Sequence, residues 1–285
     1  MSESLQVLLQ YLLPKRALTR VAGAFASWRG GAATRAAIEA FARRYGVDMS
    51  EAEEPNLAAY ASFNDFFTRP LRAGARPLAD ADIVCPVDGA VSECGPIADG
   101  RIFQAKGHRY SALALLGGDA ESVLRFTNGA FATIYLSPRD YHRIHMPCAG
   151  RLTRMIHVPG SLFSVNPTMA RRIPGLFARN ERVVCLFESE SGGTFALVLV
   201  GAVIVGGIAT VWHGTVTPPR HGRPSIWNYA EADAVELAQG AEMGRFMLGS
   251  TVVALFSDPG ASFAADWKAG RPVRMGEAMA SRNAY

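Results

Sequence analysis

The sequence predicts an α+β protein, with helices at the N-terminus followed by a β-rich body. Three observations predict it. Apolar residues recur at helical spacing up to residue 47. Pro70 then ends the helical part. After residue 80 the texture changes to short β-branched runs punctuated by Gly and Pro. With 285 residues, 49% of them apolar and 19% charged, the chain has material for one large core, or for one domain with an attached segment.

Residues 4–13 are apolar with two glutamines and lead into Pro14-Lys15-Arg16. A second helical stretch runs through Leu18, Val21, Ala22, Phe25 and Trp28, with Arg20 and Arg29 beside it. Neither reaches the ~20 residues that span a bilayer. The charge follows the first apolar run instead of preceding it, unlike a secretory signal. Two readings stay open: a helix pair packed on the domain, or an interfacial anchor with basic residues near the headgroups. Residues 34–47 predict a third helix whose apolar face is Ala37, Ile38, Phe41 and Ala42. Ser62-Phe-Asn-Asp-Phe-Phe-Thr-Arg-Pro-Leu-Arg72 closes this part.

Strands are expected at Ile83–Val87, Ala90–Glu93, Ile102–Ala105, Ala132–Leu136, Leu152–Val158, Val183–Glu188, Phe195–Val205, Ile208–Trp212 and Thr251–Phe256. The uncharged run from Phe195 to Ala209 contains Gly201, Gly206 and Gly207. Its glycines and short length argue for buried strands with a turn, against a membrane span.

The net charge of +4 suits an anionic membrane surface or an acidic ligand. No arginine–aromatic cluster speaks for nucleic acid. Cys85, Cys94, Cys148 and Cys185 are far apart. Without a C-x-x-C pair or a signal peptide they read as reduced thiols in a cytosolic compartment, and no zinc site is expected from them.

The chemistry centres on Gly244-Arg-Phe-Met-Leu-Gly-Ser-Thr-Val-Val-Ala-Leu-Phe256, which reads as a turn feeding an apolar strand. In structural terms Gly249 relaxes a bend and Ser250 is a polar strand residue. In chemical terms, a serine after a glycine can turn its hydroxyl on the glycine carbonyl, and a residue without Cβ tolerates the distortion this needs. Such a serine requires a base, and the base an orienting group. His142 and His145, in Ser137-Pro-Arg-Asp-Tyr-His-Arg-Ile-His-Met-Pro147, lie in a polar, proline-bracketed segment after a strand, where function concentrates. Their H-x-x-H spacing lacks a third metal ligand nearby. His108, His157, His213 and His221 have no motif around them. The best carboxylate is Asp88, in Pro86-Val-Asp-Gly89, although Asp-Gly is also a favoured hairpin turn.

Taken together, several motifs resemble the bacterial-type phosphatidylserine decarboxylases, the pyruvoyl enzymes that make phosphatidylethanolamine. They are Phe63-Asn-Asp-Phe-Phe-Thr-Arg-Pro-Leu-Arg72, Pro86-Val-Asp-Gly89, Ala105-Lys-Gly107, Leu136-Ser-Pro-Arg-Asp-Tyr-His-Arg-Ile-His-Met-Pro-Cys148, Leu162-Phe-Ser-Val-Asn166, Leu176-Phe-Ala-Arg-Asn-Glu-Arg-Val183, Thr217-Pro-Pro-Arg220 and Gly244-Arg-Phe-Met-Leu-Gly-Ser-Thr251. The resemblance covers nearly the whole chain in order. It implies self-cleavage between Gly249 and Ser250 and conversion of Ser250 to a pyruvoyl group that forms a Schiff base with phosphatidylserine. It implies an Asp88–His145–Ser250 triad that drives cleavage, and a part for His142 in decarboxylation. It further implies a heterodimer of residues 1–249 and 250–285, peripheral on the cytoplasmic side of the cell membrane. One departure is Met247, where the family has a familiar lysine.

The expected organisation is a helical, membrane-associating region over 1–75 and a catalytic domain over 76–285. Two other function classes compete: a Ser-His-Asp hydrolase, which lacks a Gly-x-Ser-x-Gly elbow around Ser250, and a non-enzymatic membrane-peripheral β-protein.

Overall fold

A computed structural model describes residues 3–204, 207–217, 223–231, 234–257 and 261–282. Of Thr217-Pro-Pro-Arg220 only Thr217 falls within these, and His221 and the end of the expected strand Phe195–Val205 lie outside them.

The order is helices first, strands after, as the sequence predicts. Helices Glu3–Leu12, Lys15–Ser27 and Ala32–Tyr45 are followed by the short helix Phe63–Phe67. Gly46 takes a left-handed conformation (φ 66°) and ends the third helix. The Ser62 side chain caps the fourth, accepting from Asp65 N at 3.1 Å. These elements share a core of their own: Ala26, Ile38, Ala42 and Tyr60 close on Phe63, Phe66 and Phe67. The short helix puts three phenylalanines within five residues, so one turn supplies most of the ring surface that Phe41 packs against edge-on.

The body is a nine-stranded sheet in which every neighbouring pair is antiparallel. The strand Ser250–Phe256 lies inside it, between Thr194–Val200 and Ala130–Leu136. All seven of its residues are buried. Alternation sends Val252, Ala254 and Phe256 into one core, and Val253 and Leu255 into the core on the opposite face. A two-sided strand reads as an unbroken apolar run, which explains why Thr251–Phe256 was legible. A four-stranded sheet, in the order Gly214–Thr215, Ile208–Thr210, Glu242–Phe246, Arg143–His145, stands beside it.

Three sequence expectations change. Gly244–Phe246, read as a turn, belongs to the strand Glu242–Phe246, held between Ile208–Thr210 and Arg143–His145. The histidine segment is no exposed loop: His142 and His145 are both buried, and His145 lies within a strand. Asp88-Gly89 makes no hairpin. Ile83–Val84 pairs with the C-terminal strand Ala278–Arg282 instead, and Gly89 is required by close approach, since a Cβ there would lie 2.3 Å from the Tyr135 carbonyl oxygen.

Candidate active site

Sheet register gathers the candidate residues at one corner. Ser250 stands opposite Leu136, so the chain leaving Leu136 towards the histidines starts beside the serine. It returns as Arg143–His145, with His145 opposite Glu242 and Arg143 opposite Arg245. Phe246 N then donates to the His142 carbonyl at 3.0 Å, and His145 N to the Pro86 carbonyl at 2.8 Å. The second bond places the Val-Asp-Gly segment against the histidine strand.

The backbone before Ser250 is bent. Gly249 has φ 24° and Leu248 has φ 97°. Nothing lies within 4 Å of a Cβ placed on Gly249, so conformation and not space calls for glycine. Leu248 has no such freedom, and a non-glycine residue at this φ stores about 1–3 kcal/mol. What offsets the strain is packing: the Leu248 side chain rests against the helical aromatic core. Ser250 is 1% exposed and its Oγ has no hydrogen-bond partner. A buried hydroxyl left this way costs about 1–3 kcal/mol, and it is uncommitted.

The two histidines meet different surroundings, as extended backbone requires for side chains three apart. His142 is fully buried, its ring centroid 4.1 Å from that of Phe67. Its Nδ1 is 2.7 Å from the Asp140 carbonyl oxygen. A carbonyl can only accept, so Nδ1 carries the proton and Nε2 is a bare base without a partner. Burial pushes its pKa down to about 3. His145 donates from Nδ1 to the Gly240 carbonyl at 2.8 Å and accepts at Nε2 from the Tyr141 hydroxyl at 3.0 Å. Burial lowers its pKa as well.

Asp88 is buried and fully engaged. It accepts from Arg76 Nε at 2.9 Å and from Met275 N at 2.8 Å, and Arg76 also reaches Glu51 at 2.9 Å. Arg76 and Met275 went unnoticed in the sequence, because neither belongs to a motif and both arrive through tertiary contacts. Asp88, His145 and Ser250 therefore occupy one corner of the uncut chain without hydrogen bonds joining them. The Tyr141 hydroxyl occupies Nε2 of His145, and Arg76 occupies both carboxylate oxygens of Asp88. A cavity of about 430 Å³ opens beside Asp88, its wall also including Asp140, Tyr141 and Arg69. Among the other histidines, His157 is buried with Nε2 3.1 Å from Glu181 Oε1, away from this corner. The four cysteines are free, and no group of three potential metal ligands occurs among the described residues.

Comparison with known proteins places the chain in a family. The family model described as phosphatidylserine decarboxylase matches residues 63–281, and a model described as PSD matches residues 5–46. The chain is 67% identical over 282 residues to the phosphatidylserine decarboxylase proenzyme of Acidovorax ebreus, covering 99% of each chain. It is 63% identical over 281 residues to the proenzyme of the same name from Chromobacterium violaceum, covering 99% of this chain and 100% of the relative. For the Azoarcus sp. proenzyme the identity is 65% over 279 residues, covering 98% of this chain and 96% of the relative. With a family match spanning most of its length and relatives of this identity end to end, the chain belongs to the phosphatidylserine decarboxylase family.

Proposed function

We propose that the chain cuts itself between Gly249 and Ser250, converts Ser250 to a pyruvoyl group and decarboxylates phosphatidylserine to phosphatidylethanolamine. The observation that carries this reading is the buried, unpartnered Ser250 hydroxyl directly after two residues at positive φ. Attack of Oγ on the Gly249 carbonyl turns the amide into an ester and frees the Ser250 amine. β-Elimination then releases the Gly249 carboxylate. Water replaces ammonia at Cα of residue 250 and leaves a ketone, with chains 1–249 and 250–285 as products.

The serine proton needs a base, and both histidines have Nε2 unprotonated in the uncut chain. In the family reading His145, steadied through Asp88, takes the proton, and His142 acts later on the substrate. For this His145 exchanges the Tyr141 hydroxyl for Ser250 Oγ, and Asp88 acts through its contacts to Arg76 and Met275 or by shifting onto the ring. A second reading has one observation in its favour: His142 Nε2 is already free, which makes His142 the base for cutting.

A ketone at position 250 fits its surroundings, since the strand holds the residue and Oγ has no hydrogen bond to lose. That group, once formed, supplies a carbonyl that takes up the substrate amine and accepts the electrons released with CO₂. This chain's residues supply orientation and a proton at His142 Nε2 or His145 Nε2.

The helical region, residues 1–75, is assigned to the membrane surface on the cytoplasmic side. The helix Lys15–Ser27 buries small residues, Thr19 and Ala26. On or beside it, Val21 is 70% exposed, Phe25 49% and Trp28 50%. A helix docked only for packing does the reverse. Lys15, Arg16 and Arg20 add charge for anionic headgroups. Among the described residues no helix is long and apolar enough to cross a membrane. Deleting residues 1–29 is expected to reduce sedimentation with anionic vesicles while the remainder stays folded by circular dichroism. Unchanged sedimentation would assign these helices to packing alone.

Intact-mass measurement tests the central claim. Active wild-type protein is expected as two chains, the smaller bearing a carbonyl that reacts with hydroxylamine. Ser250→Ala is expected to stay uncut and inactive. An active enzyme of one intact mass would overturn the reading.

A further inference from the structure

Arg69 is a buried cation without a counter-ion. It is 3% exposed, and its guanidinium meets two backbone carbonyls only, Phe66 O at 3.5 Å and Arg139 O at 3.3 Å. Nε has no partner, and among the described residues no carboxylate lies within ion-pair distance of it. The nearby carboxylates are held elsewhere. Asp88 is bound by Arg76 and Met275 N, and Asp140 by Ser137 N at 2.6 Å. The face of Phe66, 5.4 Å from the guanidinium carbon, offsets part of the charge. Burial pushes the pKa of the group down, as expected for a cation short of compensation. Folded proteins seldom keep an unpaired buried charge, because removing it from water is costly.

The position of Arg69 gives the charge a use. It lines the cavity of about 430 Å³ whose wall also carries Asp140 and Tyr141. Those residues hold the histidines, Asp140 through its carbonyl on His142 and Tyr141 through its hydroxyl on His145. Thr68, next in the chain to Arg69, accepts from Arg143 Nε at 2.9 Å, which fixes the arginine against the histidine strand. Exposed Gly46 and Asp48 stand on the cavity wall too, so it is open to ligand.

We propose that Arg69 is the anchor for the phosphodiester of the lipid headgroup. The assignment rests on the reading of the chain as a phosphatidylserine decarboxylase. The substrate offers two anions, and the chemistry selects between them. A carboxylate paired with a buried guanidinium would lose that pairing as it leaves as neutral CO₂, so the pairing would stabilise the ground state and slow the reaction. The phosphodiester keeps its charge from substrate to product, and a guanidinium fork matches its oxygens. Arg69 thus sets the register of the headgroup and takes no part in bond breaking.

The cavity is present in the uncut chain, so binding can be read apart from maturation and turnover. Uncut Ser250→Ala protein is titrated calorimetrically with sn-glycero-3-phosphoethanolamine, which has the phosphodiester but no carboxylate, and with O-methylserine, which has the carboxylate but no phosphate. Adding Arg69→Gln is expected to weaken the first about 10- to 100-fold and leave the second unchanged, with Arg69→Lys intermediate. In matured enzyme Arg69→Gln should raise KM for phosphatidylserine by a similar factor and alter kcat little. The proposal is overturned if Arg69→Gln binds the phosphodiester as tightly as its parent, if only O-methylserine binding suffers, or if the parent binds no phosphodiester. Should Arg69→Gln fail to fold, Arg69→Lys and the parent titration still decide. Phosphodiester binding through Arg69 in a wild-type protein that decarboxylates no phosphatidylserine would sink the activity and spare the anchor.

Discussion

The two sides of the Gly249–Ser250 bond are built differently. Upstream, Leu248 and Gly249 sit at positive φ, and Leu248 leans on the aromatic core of the N-terminal helices. Downstream, Ser250 begins a fully buried strand with a partner on each side. The first side stores strain and depends on side-chain packing; the second is held by backbone hydrogen bonds along seven residues. A bond placed at such a junction has one end free to relax on cutting and one end fixed, which suits a new N-terminus that must remain in register.

The sharpest way to break this comparison is to remove each histidine, since His142 belongs to the upstream surroundings through Phe67 and His145 to the strand Arg143–His145. His145→Ala is expected to stop cutting, with activity lost because no carbonyl forms. His142→Ala is expected to mature into two chains yet decarboxylate about 10²- to 10⁴-fold more slowly. A gel and a rate for each variant decide. The reverse pattern would give the cutting role to the imidazole whose Nε2 is already free.

A smaller effect isolates the strain. Leu248→Gly removes the penalty of positive φ and is expected to slow cutting about 5- to 150-fold, if release of 1–3 kcal/mol helps to reach the transition state. Leu248→Ala keeps a Cβ at that φ and loses the contact with the helical core, so it separates strain from packing. Equal maturation rates for wild type and Leu248→Gly would show that the bent backbone contributes nothing.

Of a different kind is the response to acid. The pKa of His142 is about 3 in the folded chain, against the ordinary 6.5 when unfolded. Protons therefore favour the unfolded state between these values, and the stability tied to neutral His142 is complete above pH ~6.5 and declines as pH falls towards ~3. His145 is shifted in the same direction. Urea unfolding of Ser250→Ala protein is expected to show this decline, flattened in His142→Gln. An identical acid response in the two would place the titration elsewhere.

Much of the framework was legible because its signals are local. The seven buried residues of Ser250–Phe256 form an apolar run that only a strand covered on both faces requires, and Pro70 marks where the helical part ends. Gly249-Ser250 and the two histidines stood out by type and spacing. The engagement of Asp88 did not, because Arg76 and Met275 reach it from 12 residues before and 187 after. Nor did Leu248: a leucine at φ 97° contradicts local preference and persists only through a tertiary contact. Residues 244–246 misled for a related reason, since Gly244 signals a turn but here lets the strand approach the Ala209 carbonyl, where a Cβ would lie 2.5 Å away.

The interleaving of the sheet bears on how often this molecule can fold. Residues 250–256 are threaded between two strands from earlier in the chain, and Ala278–Arg282 pairs with Ile83–Val84. While the chain is continuous, folding is unimolecular and independent of concentration. With the proposed cut between Gly249 and Ser250, any full unfolding would release two separate peptides, and recovery would become a second-order search by a 36-residue piece for a gap in its partner's sheet. On that reading assembly belongs to the precursor, and the cut protein would rely on the height of its unfolding barrier.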